Sequence, residues 1–314
     1  MNDTKNAVSP FKAWFIGFRP WSWPASIVPV LFGTALAVTA GGAAFKPWPF
    51  AAALLAMLAL HSATNLHSDA DDLEKGLDKP GEITPVTGAV ARLWLSPALA
   101  RRGAYALYAA GSLLGLLLLR WAGPDLLWIG AAGVAVGVLY SVLKYRALGD
   151  LAVFVNFGLL ATAGAWTVQT GSFSMVPAAW SVPAGLVVVA ILHANNWRDI
   201  ASDKAGGIRT MAGLLGDGGS MFYYCLLVCV PFVYTLAGVA LSRRGLAGPA
   251  MPWTLLAVWL AFPLALSRMR RAARRRAPAA PLDFVTLDGG TAQLNMAFGL
   301  LSVAGLLLGR ALGA

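Results

Sequence analysis

The sequence predicts an all-α, polytopic membrane bundle of about nine transmembrane helices. Of 314 residues, 58% are hydrophobic and only 12% charged, and the mean hydropathy is +0.67, far more apolar than a soluble domain of this length. The apolar residues gather in runs of about 20, the length a helix needs to cross a hydrocarbon core about 30 Å thick. None of the runs shows sustained strand alternation, and helices satisfy their own backbone polar groups in lipid.

In chain order the runs cover 22–42, 48–67, 103–121, 124–142, 150–170, 178–196, 219–241, 250–267 and 290–312. The first follows a basic tail and has small residues near Ala37 to Ala40, which raises a cleaved leader, but its length predicts a retained helix. The second and sixth run into acidic motifs. The fifth carries Asn156 and Gln169, expected to hydrogen-bond between helices. The seventh holds both cysteines, Cys225 and Cys229, whose same-helix spacing suits buried apolar packing better than a disulfide. No soluble domain interrupts this series, so residues 1–314 are expected to form one membrane domain behind a short cytoplasmic tail, 1–21.

With nine spans, nineteen of the 24 Lys and Arg fall on the side of the N-terminus, among them Lys5, Lys12, Arg19 and the cluster from Arg268 to Arg276. The positive-inside rule then places the N-terminus and those loops in the cytoplasm, with the chain in the cell inner membrane. The net charge of +10 belongs to this basic face. It attracts anionic lipid headgroups and phosphorylated substrates and requires no nucleic acid.

The second run ends His61-Ser-Ala-Thr-Asn65-Leu-His67-Ser68-Asp69-Ala-Asp71-Asp72, continuing to Lys75 and Asp78. If the helix continues, Asn65, Asp69 and Asp72 share one face with His61 a turn deeper. The sixth run ends in matching fashion, with His193, Asn195, Arg198, Asp199, Asp203 and Lys204. Both ends meet the same compartment, as related halves of a weak internal repeat would.

Clustered carboxylates at membrane depth repel one another and lose hydration, so a cation is expected to hold them. Mg²⁺ takes one or two carboxylates and completes its shell with water and substrate phosphate. Calcium would want a fuller protein cage, and zinc would want His and Cys at spacings this chain lacks. The pattern therefore predicts a phosphate-bearing substrate. Lys75, Lys144, Arg146, Arg198, Lys204 and Arg209 sit where a diphosphate can reach them. An ion-coupled secondary transporter is the alternative of another class, although its carboxylates would usually sit at mid-bilayer on broken helices.

The chain resembles the UbiA-type superfamily of intramembrane aromatic prenyltransferases, most closely its 1,4-dihydroxy-2-naphthoate polyprenyltransferase branch. The motifs are Arg19-Pro-Trp-Ser-Trp-Pro24, Asn65 through Asp78, Tyr140 through Lys144-Tyr-Arg146-Ala-Leu-Gly149-Asp150, Asn195 through Asp203, and Asp288-Gly-Gly-Thr-Ala-Gln-Leu-Asn295. Departures are Ser68 in place of Asn, Ile208 in place of Lys, and no Arg after Asp78, where Lys79 and Arg209 are the nearest substitutes.

The resemblance implies helices around a central cavity and a polyprenyl diphosphate bound through Mg²⁺ to Asp69, Asp72, Asp199 and Asp203, with Asn65 and Asn195 assisting. It implies catalysis by ionisation of the diphosphate, attack of the allylic cation on an electron-rich ring, and a prenyl tail in a tunnel open to the lipid bilayer. In the naphthoate branch the aromatic acid acceptor also loses its carboxyl group, giving a demethylmenaquinone; 4-hydroxybenzoate or another phenol is the alternative acceptor. Arg19, Asp78, Tyr140 and His193 are candidate acceptor contacts. Tyr140, Tyr145, Trp166 and Trp197 are candidate shields of the cation. His61, His67 and His193 can assist a phenolic proton or hydrogen-bond within the bundle.

Overall fold

A computed structural model describes residues 8–81, 88–275 and 287–313. Lys5 and Arg276, counted above, lie outside the described residues. Among the described residues there is no strand, only one isolated bridge between Arg146 and Arg209.

The entry to the bundle is a bent pair. Helix α1 (Pro10–Phe18) starts at Pro10, with the Ser9 hydroxyl accepting from the Lys12 N–H at 3.3 Å. Arg19 then takes a left-handed conformation, φ 52°, and a short turn over Pro20–Ser22 leads into α2 (Pro24–Thr39) at 52° to α1. Next come α3 (Pro47–Glu74), α4 (Pro97–Ala122), α5 (Asp125–Val138), α6 (Tyr140–Lys144) and α7 (Gly149–Val153). Helix α7 continues through a wider π-wound stretch, Phe154–Leu160, into α8 (Ala161–Thr170). Helix α9 (Met175–Arg198) stops where α10 (Ile200–Ala205) begins, and α11 (Met211–Arg243) follows with a kink at Gly216. A tightly wound 3₁₀ stretch, Trp253–Ala261, leads into α12 (Phe262–Ala272), and α13 (Leu287–Ala311) closes the fold.

Every predicted run lies on helix, but nine full spans are not confirmed. By length and composition, six described helices can cross a membrane, or seven if the bent pair is one span. The run 124–142 is split, because regular winding breaks at Leu139 and leaves α5 with 14 residues, about 21 Å at 1.5 Å per residue. The run 250–267 changes winding at Phe262.

Packing divides the molecule. Helices α9, α11, α12 and α13 share a core around Trp197, Tyr224, Phe232 and Leu294, whereas α1, α3 and α4 share a smaller one around Leu66, Ala104 and Tyr108. Close approach rests on small residues, as expected where lipid offers no hydrophobic drive between helices. A Cβ on Gly185 would lie 3.0 Å from the Gly158 Cα, so α9 and the π-wound stretch meet backbone to backbone there. Cys225 and Cys229 are free and half-buried rather than fully buried, with Cys229 Sγ 3.3 Å from Met269 Sδ. The Gln169 amide bridges to the Lys46 backbone, accepting from its N–H at 2.8 Å and donating to its carbonyl at 3.2 Å.

Candidate functional site

A cavity of about 1130 Å³ is bordered by Tyr108 of the smaller core and by Val153 and Val188 of the larger one. Helix α3 lines it from Ala53 to Asp72, a run of roughly 28 Å at the helical rise. The deep part is apolar, walled by Ala53, Met57, Leu119, Leu126 and Val168. The other end is polar: Asn65 and Asp72 from α3 meet Asn195, Asp199 and Asp203 from α9 and α10, with Arg19, Tyr140 and Lys144 beside them. The two acidic motifs thus converge on one chamber.

On the α3 side, continuous helix to Glu74 keeps Asn65, Asp69 and Asp72 in phase, as predicted. Asp72 is engaged by three groups: Lys144 Nζ at 3.0 Å, the Tyr145 hydroxyl at 2.8 Å and the Ser68 hydroxyl at 3.4 Å. Burial works against the Lys144 ammonium, yet Asp72, Tyr140 and Asp203 around it together raise its pKa above the ordinary lysine value. Asp69 is not among the residues on the wall. It is 1% exposed and ion-paired to Arg19, while its Oδ2 has no hydrogen-bond partner. Asn65 Nδ2 donates to the Phe18 carbonyl and the Ser22 hydroxyl, both at 3.3 Å, and so ties α3 to the bend after α1.

On the other side the expected single face is broken, since Asp199 is not helical (φ −95°, ψ 10°) and separates α9 from α10. Both carboxylates still reach the cavity. Burial, reinforced by Asp199 and Asp72 and opposed by Lys144, pushes the Asp203 carboxyl up to about 7. Burial likewise raises Asp78, with Asp72 adding to the effect.

Several predicted contacts lie elsewhere. Lys75, Arg146, Lys204 and Arg209 are exposed outside the cavity wall, and Lys75 stands over the Tyr145 ring at 4.1 Å. Arg198 is buried behind the wall, paired with Asp199 and Asp288. Asp78 is half-buried beside the wall. His193 is fully buried, 3.5 Å from Asp150 and edge-on to Tyr223, and does not line the cavity. Trp166 and Trp197 are buried off the wall, and Tyr145 is spent on Asp72. His61, by contrast, is on the wall, with its ring nitrogens hydrogen-bonded to Ser22 at 3.2 Å and Ser26 at 2.7 Å. His67 lies 4.0 Å from Asp71.

Among the lining residues with no assigned role in the sequence are Asn196, Phe157 and Asp288. Phe157 meets the His61 ring edge at 4.9 Å. Its place follows from π winding, which hydropathy does not register. Asp288 stands in the first turn of α13, and the Gly-Gly after it was the available signal.

The donor set fits magnesium better than a metal held by protein alone. Among the described residues no three His, Cys, Asp or Glu side chains are gathered to hold an ion. A hard cation that takes one or two carboxylates and completes its shell with water and phosphate needs no such cage. The unpartnered Asp69 Oδ2, and an Asp203 carboxyl raised by burial and then by its acidic neighbours, mark a site with room for positive charge.

Comparison with known proteins agrees with this architecture. The UbiA prenyltransferase family model matches residues 26–287. UbiA prenyltransferase domain-containing protein 1 of Xenopus tropicalis is 35% identical over 302 residues, covering 93% of this chain and 81% of that protein. The 1,4-dihydroxy-2-naphthoate octaprenyltransferase of Bacillus subtilis (strain 168) is 31% identical over 294 residues, covering 92% and 90%. A UbiA homolog from Archaeoglobus fulgidus, solved bound to GPP and Mg²⁺, shares the fold with TM-score 0.61 at 13% identity, covering 93% of this chain and 99% of that one. A multi-pass helical chain with a chamber of this build, matched along most of its length, belongs to the UbiA prenyltransferase family and is a membrane prenyltransferase.

Proposed function

We propose that this chain transfers a polyprenyl group from a polyprenyl diphosphate to 1,4-dihydroxy-2-naphthoate, with Mg²⁺, in menaquinone biosynthesis. The observation that carries this reading is one cavity with carboxylates and cations at one end and an apolar stem below. A diphosphate joined to a long hydrocarbon has the same two-part chemistry. The acceptor rests on the Bacillus subtilis relative. Family membership sets aside the transporter alternative.

Asp72, Asp199 and Asp203, with Asn65 and Asn195, are the residues that would hold Mg²⁺, and Asp69 stands behind them. When bound, the ion supplies positive charge against the departing diphosphate. Lys144 and Arg19, both on the wall, offset the same charge as the allylic C–O bond breaks. Tyr140 and Phe157 present aromatic surface and exclude water from the allylic cation. The ring carbon that bears the carboxylate forms the new C–C bond, CO₂ leaves, and the electron pair of the broken bond restores the aromatic ring. Arg19, Tyr140 and Asp78 are assigned to the acceptor side, while His193 is left out. The exposed Lys75, Arg146, Lys204 and Arg209 steer anionic substrates to the mouth. By their charge these loops face the cytoplasm, with the chain in the inner membrane.

The test is product formation by the purified chain in nanodiscs with Mg²⁺, polyprenyl diphosphates of several lengths and a panel of aromatic acids, followed by mass spectrometry. The expected product is a prenylated, decarboxylated naphthalenediol. Product from 4-hydroxybenzoate alone would reassign the acceptor, and none with any acceptor would sink the reading.

A further inference from the structure

Arg198 is the last residue of α9, its side chain only 5% exposed, and its planar fork is almost fully used. Nε and Nη2 donate to the two oxygens of Asp199 at 2.8 and 2.7 Å. Nη1 donates to Asp288 Oδ2 at 2.9 Å, and Nη2 also donates to Asn195 Oδ1. The other Asp288 oxygen accepts from the Gly289 N–H at 2.8 Å. A guanidinium has five N–H donors in fixed directions, so little of this one remains for a ligand. The chain leaves helical geometry at Asp199, where without a brace the carboxylate would be free to swing.

We propose that Asp288 is a positioning residue which, through Arg198, fixes Asp199 and Asn195 toward the cavity and offsets the Arg198 charge that would otherwise oppose a cation there. The proposal rests on the reading that Asp199 and Asn195 serve the Mg²⁺–diphosphate end. Asp199 alone against Arg198 is electrically neutral, whereas Asp199 and Asp288 together leave one negative charge, which attracts a divalent ion. The last helix thereby becomes part of the site ninety residues away in sequence. Only an arginine can grip one carboxylate with two N–H groups and reach a second, since lysine offers a single point charge.

Mn²⁺ binding to the purified full chain, followed by electron paramagnetic resonance with inorganic pyrophosphate present, tests this apart from turnover. Asp288→Asn is expected to weaken Mn²⁺ about tenfold, as loss of a partner behind a metal ligand typically does, and to raise KM for the prenyl diphosphate more than it lowers kcat. Asp288→Glu, which restores the charge, is expected to recover most of the Mn²⁺ affinity. In an Arg198→Met background, which removes both the grip and the charge to be offset, Asp288→Asn is expected to add less loss than it causes in the unsubstituted protein. Unchanged Mn²⁺ affinity in Asp288→Asn, with or without a lowered unfolding midpoint, would overturn the proposal. So would fully additive losses, which would make Asp288 a direct ligand. Failure of the unsubstituted protein to bind Mn²⁺ would instead remove the parent reading.

Discussion

The end of α3 and the α9–α10 junction carry similar residues at similar spacing, yet they meet the cavity in different electrical states. At α3 the carboxylates are neutralised from within: Asp69 by Arg19, Asp72 by Lys144 and Tyr145. At the junction Asp199 is 37% exposed and shares its one guanidinium with Asp288, and Asp203 is pushed up to about 7 by burial and its acidic neighbours. The first end is a prepared scaffold that brings cations to the site. The second has oxygen valence to offer. A metal arriving with a diphosphate would gain more at the second end, while Lys144 and Arg19, held beside the end of α3 by its carboxylates, would face the phosphate oxygens.

The largest effect that sharpens this contrast is expected from Asp199→Ala, with a fall in kcat/KM on the order of a thousandfold for several kcal/mol of lost charge stabilisation. Product mass spectrometry measures it, and the unfolding midpoint is expected to fall less than in Asp72→Ala, because Asp288 still holds Arg198. Asp72→Ala is expected to lose comparable activity and also stability, because Lys144 would be left buried without its carboxylate, a penalty of about 2 to 3 kcal/mol. Equal thermal stability of the two variants would break the contrast. Next in size, Asp69→Asn keeps one acceptor for Arg19 but removes its charge. It is expected to raise KM for the diphosphate about tenfold, on the scale of one charge-assisted hydrogen bond. Smallest is Lys75→Ala at the exposed rim, with less than about a threefold change in KM that vanishes at high salt, as screening of surface charge requires. A salt-independent effect of Lys75 would move that residue into the site.

The membrane class and both acidic ends were legible because they depend on local order: apolar run length, and helical phase along α3. Asn65 and Asp72 share the cavity wall for that reason. Phase alone could not place Asp69, since its side chain is claimed by Arg19, which a left-handed turn directs inward from another helix. Arg198 looked like a phosphate ligand from its neighbours, but its main partner outside its own segment, Asp288, lies ninety positions on. His193 has the spacing of a site residue and instead packs on Asp150 and Tyr223 behind the wall. The span count was blurred for a related reason. Averaged hydropathy runs smoothly through Leu139 and Phe262, where the winding of the backbone changes.

The π-wound stretch at Phe154–Leu160 makes this segment of the wall sensitive to length. Such a turn holds a surplus residue relative to ordinary helical winding, and that surplus presents Asn156 and Phe157 to the chamber. Deleting one residue there would leave composition and hydropathy almost unchanged, yet would rotate one flank of the helix against the other by about 100°. Either these two side chains or Gly164 and Val168 further along would then turn away from the substrate. A one-residue deletion in this segment is therefore expected to cost more activity than a conservative exchange of residue type.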